Sequence, residues 1–598
     1  MCMNIVVHAV AQAPPSREGA SVSERANAIL DALQAGGSIE TAQNDVQALC
    51  DSVIGYAPLR ASDAFVEAAY TQRLLSFVSR LEERDCVETL QFLRNNDAFA
   101  KTLMFVFDAK QEQPRDVLDV LHQLRPAHRE RLNEYANLAV AVCVVHDKPL
   151  ARNFNENRAQ APGPLEIFEY FLRHEQAMQF GLTNVPPELL IYVVDVTASI
   201  PELEWAVSRY TGDQLVGARF FDIAYDFDHY RTGAPKKVTL AGWNLPNILQ
   251  YGGVCADQAY FATTVGKAIG VPTAYTVGRS ADTSHAWVGF LQADRRSAWW
   301  NFDAGRYEAY MGTRGIVLDP QTRRMVDDSR ISLLADFAMS DQNNRFVAAS
   351  LTDAAERLDT LRRDGNAFEP AELIASRNRA PARLLRSPDS VNDQLELLEA
   401  GLTASPGYAR GWFQMGALAA DGVLSLPQKK RWAGVLDRLC GSRYPEFSLD
   451  VLMPMIQSVD DVEEQNALWN AAFAKFQRRL DLAAEIRMAQ GEMWEKAGQP
   501  DNAGDCYLDV INRYANAGPM VHDALAQAEA LLRKNGEAQR VPELYIQTWN
   551  RVQPPAEMAG MFVVQSNWYR IGAATADRLQ EAGYAEDAAR IRVRISGR

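Results

Sequence analysis

Cys255, His285 and Asp303 are of the three residue types that thiol chemistry uses together. A thiol nucleophile needs a base to take its proton, and the base needs an acceptor on its second ring nitrogen to orient it. Cys255 follows Gly252-Gly253, and behind it Ala256, Ala259, Ala262, Val265, Ala268 and Ile269 recur three and four apart. That spacing predicts a buried helix with the cysteine in its first turn. There the unpaired amides and the positive end of the helix dipole favour a thiolate. Gly270-Val271-Pro272 stops the helix. Thr273–Val277, His285–Leu291 and Ala298–Phe302 follow as strand-like runs, His285 opening the second and Asp303 closing the third.

The blocks GGVC-x-D-x-A, GVPTAYTVG, SHAWVGF and WWNFD, in that order, resemble the transglutaminase-like superfamily, whose core is a papain-type fold. The resemblance runs from roughly Leu165 to Val326, about a quarter of the chain. It implies that Cys255 is the nucleophile, His285 the base and Asp303 its orienter. One departure is Ala304-Gly305-Arg306 after Asp303, where many relatives carry a Pro or Thr turn. A papain-type site completes its oxyanion hole with the cysteine's own amide and one upstream side-chain donor. Gln250 and Trp243 are the candidates, and the sequence does not choose between them. The implied reaction is attack on a carboxamide or peptide carbonyl of a protein or peptide substrate, giving a thioester that water or an amine resolves. Hydrolysis is favoured over crosslinking, because nothing resembles the accessory β-sandwich domains or calcium sites of the crosslinking enzymes. The alternative is a non-catalytic scaffold or peptide-binding protein built on the same core, with its helical arms presenting grooves to a partner.

The elements that must position these residues are spread over 598 residues, too many for one core. The expected fold is predominantly α and multidomain. Residues 1–20 read as a signal-like or disordered segment, 21–150 as an N-terminal helical domain and 160–335 as the transglutaminase-like α+β core. A helical connector, 336–388, and a tetratricopeptide-like repeat domain, 389–598, follow. Hydrophobic content of 47% and charged content of 23% are ordinary for a globular protein. A formal charge of −15 argues against nucleic acid or an anionic membrane surface as the main partner. Lys429-Lys430-Arg431 reads as a solvated helix face, and no run approaches a transmembrane length. Met3–Val10 is mostly apolar and Ala11-Gln12-Ala13 resembles a signal-peptidase site, which points to export.

Seven cysteines, at 2, 50, 86, 143, 255, 440 and 506, show no CxxC pair and do not read as a disulfide framework. Cys86, Cys143, Cys440 and Cys506 lie in apolar stretches and are expected to be buried. The eight histidines include no HExxH or HxH pair, and no phosphate-cradling glycine loop is present, so neither metal nor cofactor is expected. Asp222, Asp226 and Asp228 are spaced like hard-cation ligands but lack the glycine and glutamate of an EF-hand loop. His229 reads as structural.

Ser21 or Ser23 is placed to cap a first helix that Gly36-Gly37 ends. Phe65, Ala69, Leu74, Leu75 and Val78 mark a second stripe, and Leu118, Val120 and Leu121 lie in a third. A loop at Asn153–Pro164 marks a boundary, and Leu189–Val196 suits either a buried strand or a helix. Asp319-Pro320-Gln321-Thr322 reads as the turn ending the core. Pro406, Trp412 and Met415-Gly416, then Gly491, Trp494, Gly498, Ala503 and Tyr507, resemble tetratricopeptide positions. Gly536, Tyr545, Gly583 and Ala588 resemble degenerate further copies. Small residues there are expected to let paired helices approach closely.

Overall fold

In a computed structural model of the chain, residues 17–150, 161–278, 285–307, 310–363, 391–555 and 561–596 are described. The signal-like stretch Met1–Ala13 with Cys2, most of the 153–164 loop and the break at Arg379-Ala380-Pro381 lie outside them. Among the described residues the fold is predominantly helical with one five-stranded antiparallel sheet. The sheet comprises β1 (Thr273–Gly278), β2 (Ala286–Ala293), β3 (Ala298–Gly305), β4 (Gly315–Leu318) and β5 (Met325–Asp327). Their spatial order is β3-β2-β1-β4-β5. Two compact units divide the chain. Of the described residues, the first holds those within 1–305, 315–424 and 434–440, and the second those within 306–314, 425–433 and 441–598.

In the first unit the N-terminal helices include Arg17–Gln34, Ser62–Val78, Pro114–His128 and Ala136–Val145. Ser21 and Ser23 fall inside the first of these and do not cap it. Ala136–Val145 is apolar on every side and almost wholly buried, as a helix surrounded by others must be. Pro187–Val194 is also a helix, so the apolar run beginning at Leu189 is not a strand. Pro187 at its first position suits a helix start, where an N–H would go unpaired.

Asp319–Thr322 does not end the core. It is the turn between β4 and β5, closed by Asp319 Oδ1, which accepts from the amides of Gln321 and Thr322 at 3.1 and 2.7 Å. Its tip reaches back to the N-terminal helices. Gln321 Nε2 donates to Val106 O at 2.9 Å and to Glu112 Oε2 at 2.7 Å, and Arg323 donates to Val145 O at 2.6 Å. Asp353, on the helix Gln342–Arg363, accepts from Arg73 and from Arg410 at 2.8 Å each and so ties three helices together.

In the second unit, successive helices from Pro445–Gln457 to Ala585–Ile595 carry no strand among the described residues. Gly491 is a close contact: a Cβ there would lie 2.4 Å from the Tyr507 ring. Ala503 and Ala588 are fully buried. Gly498, Gly536 and Gly583 play another part. Each has positive φ (72°, 79° and 88°) with nothing within 4 Å of a built Cβ, so they end helices and do not admit a neighbour. The run Lys429-Lys430-Arg431 is only partly solvated. Lys429 is 6% exposed and donates to Ser458 O at 2.7 Å, placing a cation at the carbonyl end of the helix Pro445–Gln457.

Candidate functional site

Cys255 is the first residue of the helix Cys255–Ala268, whose remaining face is packed into the core of the first unit. The turn before it requires glycine. Gly252 has φ 78°, and a Cβ on it would lie 2.3 Å from Ala224 O, so neither the conformation nor the space admits a side chain. Gly253 forms a parallel bridge with Tyr225, and its O accepts from Asp226 N at 2.8 Å. The aromatic segment around Tyr225 therefore lies against the turn that delivers the thiol.

His285 immediately precedes β2 and is 4% exposed, with Phe220 and Trp287 rings 6.4 and 6.2 Å from its own. Its carbonyl accepts from Gly278 N at 3.0 Å. Antiparallel alternation then turns the next amide, that of Ala286, to the opposite edge of the strand. That amide hydrogen-bonds the Cys255 sulfur, as does the amide of Ala256 in the first helical turn. The fold thus sets Cys255 beside the chain at His285, although 30 residues separate them.

Asp303 lies on β3, which pairs with β2. The pairing shifts between Val288 and Phe290, so that Val288 faces Gly305 while Phe290 faces Asn301. Asn301 Oδ1 accepts from the amides of Asp303 and Ala304 at 3.0 and 2.9 Å and folds the bulge. Asp303 is exposed within it. Gln250 is exposed at the end of the helix Leu245–Tyr251, directly before the glycine turn. Trp243 is 1% exposed, and its indole N–H donates to Asp257 Oδ1 at 2.8 Å.

Burial, the largest influence, pushes the Cys255 thiol above its ordinary value. The amides of Ala286 and Ala256 act against it, and the charge of Asp257 adds to it. Desolvation thus outweighs the helix-terminal amides expected to favour the thiolate. Burial also raises Cys50 to about 12 and Cys506 to about 11. Those two, with Cys86, Cys143 and Cys440, are buried, whereas Cys255 is half-buried, which sets it apart from the other described cysteines.

Two neighbours are not singled out as site residues in the sequence. Tyr275 on β1 has its hydroxyl pushed well above its ordinary value by burial first, then by the charges of Cys255 and Asp257. Asp257 is the acidic residue of the GGVC-x-D-x-A block and stands in the first turn of a helix, where acidic residues are favoured. Asp222, Asp226 and Asp228 go to separate partners: Arg219 Nη1 at 2.6 Å, the amides of His229 and Lys237 at 3.2 Å each, and Lys237 Nζ at 3.1 Å. His229 Nδ1 sits 2.6 Å from Ala234 O. Among the described residues no group of three or more His, Cys, Asp or Glu side chains is arranged to hold a metal, and no helix is long and apolar enough to cross a membrane. Comparison with protein-family models, curated proteins and solved structures found no match.

Proposed function

We propose that the chain is a thiol-dependent amide hydrolase or acyl transferase of the transglutaminase-like class, acting on a protein or peptide. The observation that carries the reading is Cys255 itself. It is half-buried at a helix start, hydrogen-bonded by the amide next to His285, while the other described cysteines are buried. In this reading His285 takes the thiol proton as sulfur attacks the carbonyl carbon. The C–S bond forms, the proton passes to the departing amine as the C–N bond breaks, and water or a second amine then opens the thioester. Burial raises the thiol, so in this reading attack and proton transfer to His285 proceed together. The Cys255 amide stabilises the oxyanion with Gln250, since the Trp243 N–H is directed at Asp257. Asp303 orients His285, and the papain-type core and tetratricopeptide-like arms belong to the same proposal.

Timed alkylation of the native protein by iodoacetamide, mapped by mass spectrometry, tests it. Cys255 is expected to react fastest, His285→Ala to slow it at least tenfold, and Asp303→Ala to slow it less. All thiols should react at similar rates in a denatured control. A native Cys255 no faster than the buried cysteines overturns the catalytic reading. The second reading, a scaffold that binds a protein partner through its C-terminal helices, is favoured by the raised thiol and the exposed Asp303. It takes over under that outcome.

A further inference from the structure

Beneath the Cys255 turn lies a buried ion pair. Asp257 is fully buried and Lys236 is 7% exposed. Lys236 Nζ donates to both carboxylate oxygens at 2.9 Å. Trp243 Nε1 donates to Oδ1 at 2.8 Å, and the amide of Val254 donates to Oδ2 at 2.8 Å. One carboxylate thus gathers an ammonium and an indole from the segment before the site and the amide just ahead of the nucleophile. Gly253 closes over it, because a Cβ there would lie 2.4 Å from Asp257 Cβ. A carboxylate needs no lysine to cap a helix, since the first-turn amides alone suit it. The lysine matters because a lone buried charge this close to the sulfur is costly and acts on every neighbouring ionisation.

We propose that Asp257 and Lys236 are a charge-paired positioning element: together they hold the first turn of the Cys255 helix on the 236–254 segment, and the lysine offsets part of the carboxylate's field at the thiol. The catalytic meaning of the pair rests on the proposed nucleophile, but its effect on the thiol does not. The titratable groups coupled to Cys255 are Asp257 on its own helix and Tyr275 on β1, with Lys236 behind Asp257, and the amide of Ala286, next to His285, bonds its sulfur. Tyr275 stays neutral across the working range, because burial holds its hydroxyl well above its ordinary value.

The test is the pH profile of Cys255 alkylation in the full-length protein, carried out in the native sequence and again in a His285→Ala background that removes the imidazole. Lys236→Met leaves the carboxylate unbalanced and is expected to move the midpoint up by on the order of one pH unit, whereas Asp257→Asn leaves the ammonium and moves it down by a similar amount. The double variant Lys236→Met/Asp257→Asn brings it back to between the two single variants, close to the native value. Shifts of both single variants in one direction, or no shift, overturn the pair's electrostatic role. If a single variant does not fold, the double variant decides. A folded double variant with a midpoint close to the native value supports the proposal, and one that shifts well away from it or does not fold overturns it. Opposite shifts on a slowly labelled Cys255 would uphold the pair while removing the enzyme reading, so the two failures are distinguishable.

Discussion

The turn at Cys255 and the helix pairs of the second unit both rely on glycine and on buried polar groups, but they use them differently. Gly252 and Gly498 share positive φ, 78° and 72°. Gly252 has Ala224 O where its side chain would go, while Gly498 faces open space. At the turn the buried carboxylate draws partners from a segment well before its own helix. In the second unit, Glu529 takes Tyr545 Oη at 2.8 Å and Arg578 Nε at 2.9 Å from helices that follow it. The turn is constrained by chain segments that must all arrive together. The helix pairs are constrained mostly by neighbours, so a local fault there stays local.

That contrast can be broken first at Gly252. Gly252→Ala adds left-handed strain to a backbone clash, and the loss is expected to reach about 3 kcal/mol in denaturant unfolding. Fast Cys255 labelling should disappear with it. A variant of native stability would show that the turn is less crowded than the 2.3 Å approach implies.

The two units should also answer pH in opposite directions. Glu112 is fully buried, and burial above all raises its carboxyl to about 8, helped by the charges of Asp147 and Asp108 and opposed by the Asp108 amide and Gln321. A raised folded-state value means the folded protein holds the proton longer. Its stability contribution is then complete below the unfolded value and is lost as pH rises through about 8. His146, lowered to about 4 by burial, acts the other way but only below its ordinary value. From pH 6.5 to 8 the first unit should therefore lose up to about 2 kcal/mol, and Glu112→Gln should remove the loss. In Glu529, burial is the largest influence and acts upward, yet hydrogen bonds from Arg578, Tyr545 and Arg533 carry the carboxyl below its ordinary value. Its contribution is present at neutral pH and lost on acidification. Hydrogen exchange of the helices Pro114–His128 and Met520–Lys534, followed with pH, reads the two separately.

Ala503→Leu should overpack one helix pair and cost about 1–3 kcal/mol while leaving the Cys255 labelling rate unchanged. The smallest effect is expected at Gly498→Ala. With no neighbour to strike, it should cost about 1 kcal/mol from the left-handed backbone alone, measured as a shift in melting temperature.

Much of this was legible in the residues because the signals are local. Three-and-four spacing behind Cys255 placed its helix, and Gly270-Val271-Pro272 ended it. Alternation and flanking breakers located β1, β2 and β3 to within a few residues. The stripes around Phe65 and Leu118, and the burial of Ala503 and Ala588, follow from periodicity and small size in the same way. Other features were open to more than one outcome. Leu189–Val196 has too short an apolar run to separate helix from strand, and its environment decided for a helix.

What the tertiary structure alone decided is pairing between distant segments. The bulge that leaves Asp303 exposed depends on Asn301 and on the register against β2. The Asp319 turn leads on into β5 because its tip finds carbonyls at Val106 and Val145, more than 170 residues earlier. Lys429 is withdrawn from solvent by the carbonyl of Ser458, and Lys236 finds Asp257 at 2.9 Å. A charged side chain's burial depends on its partner's position. Composition and spacing carry the residue's own preference, and only the folded chain supplies the partner that overrides it.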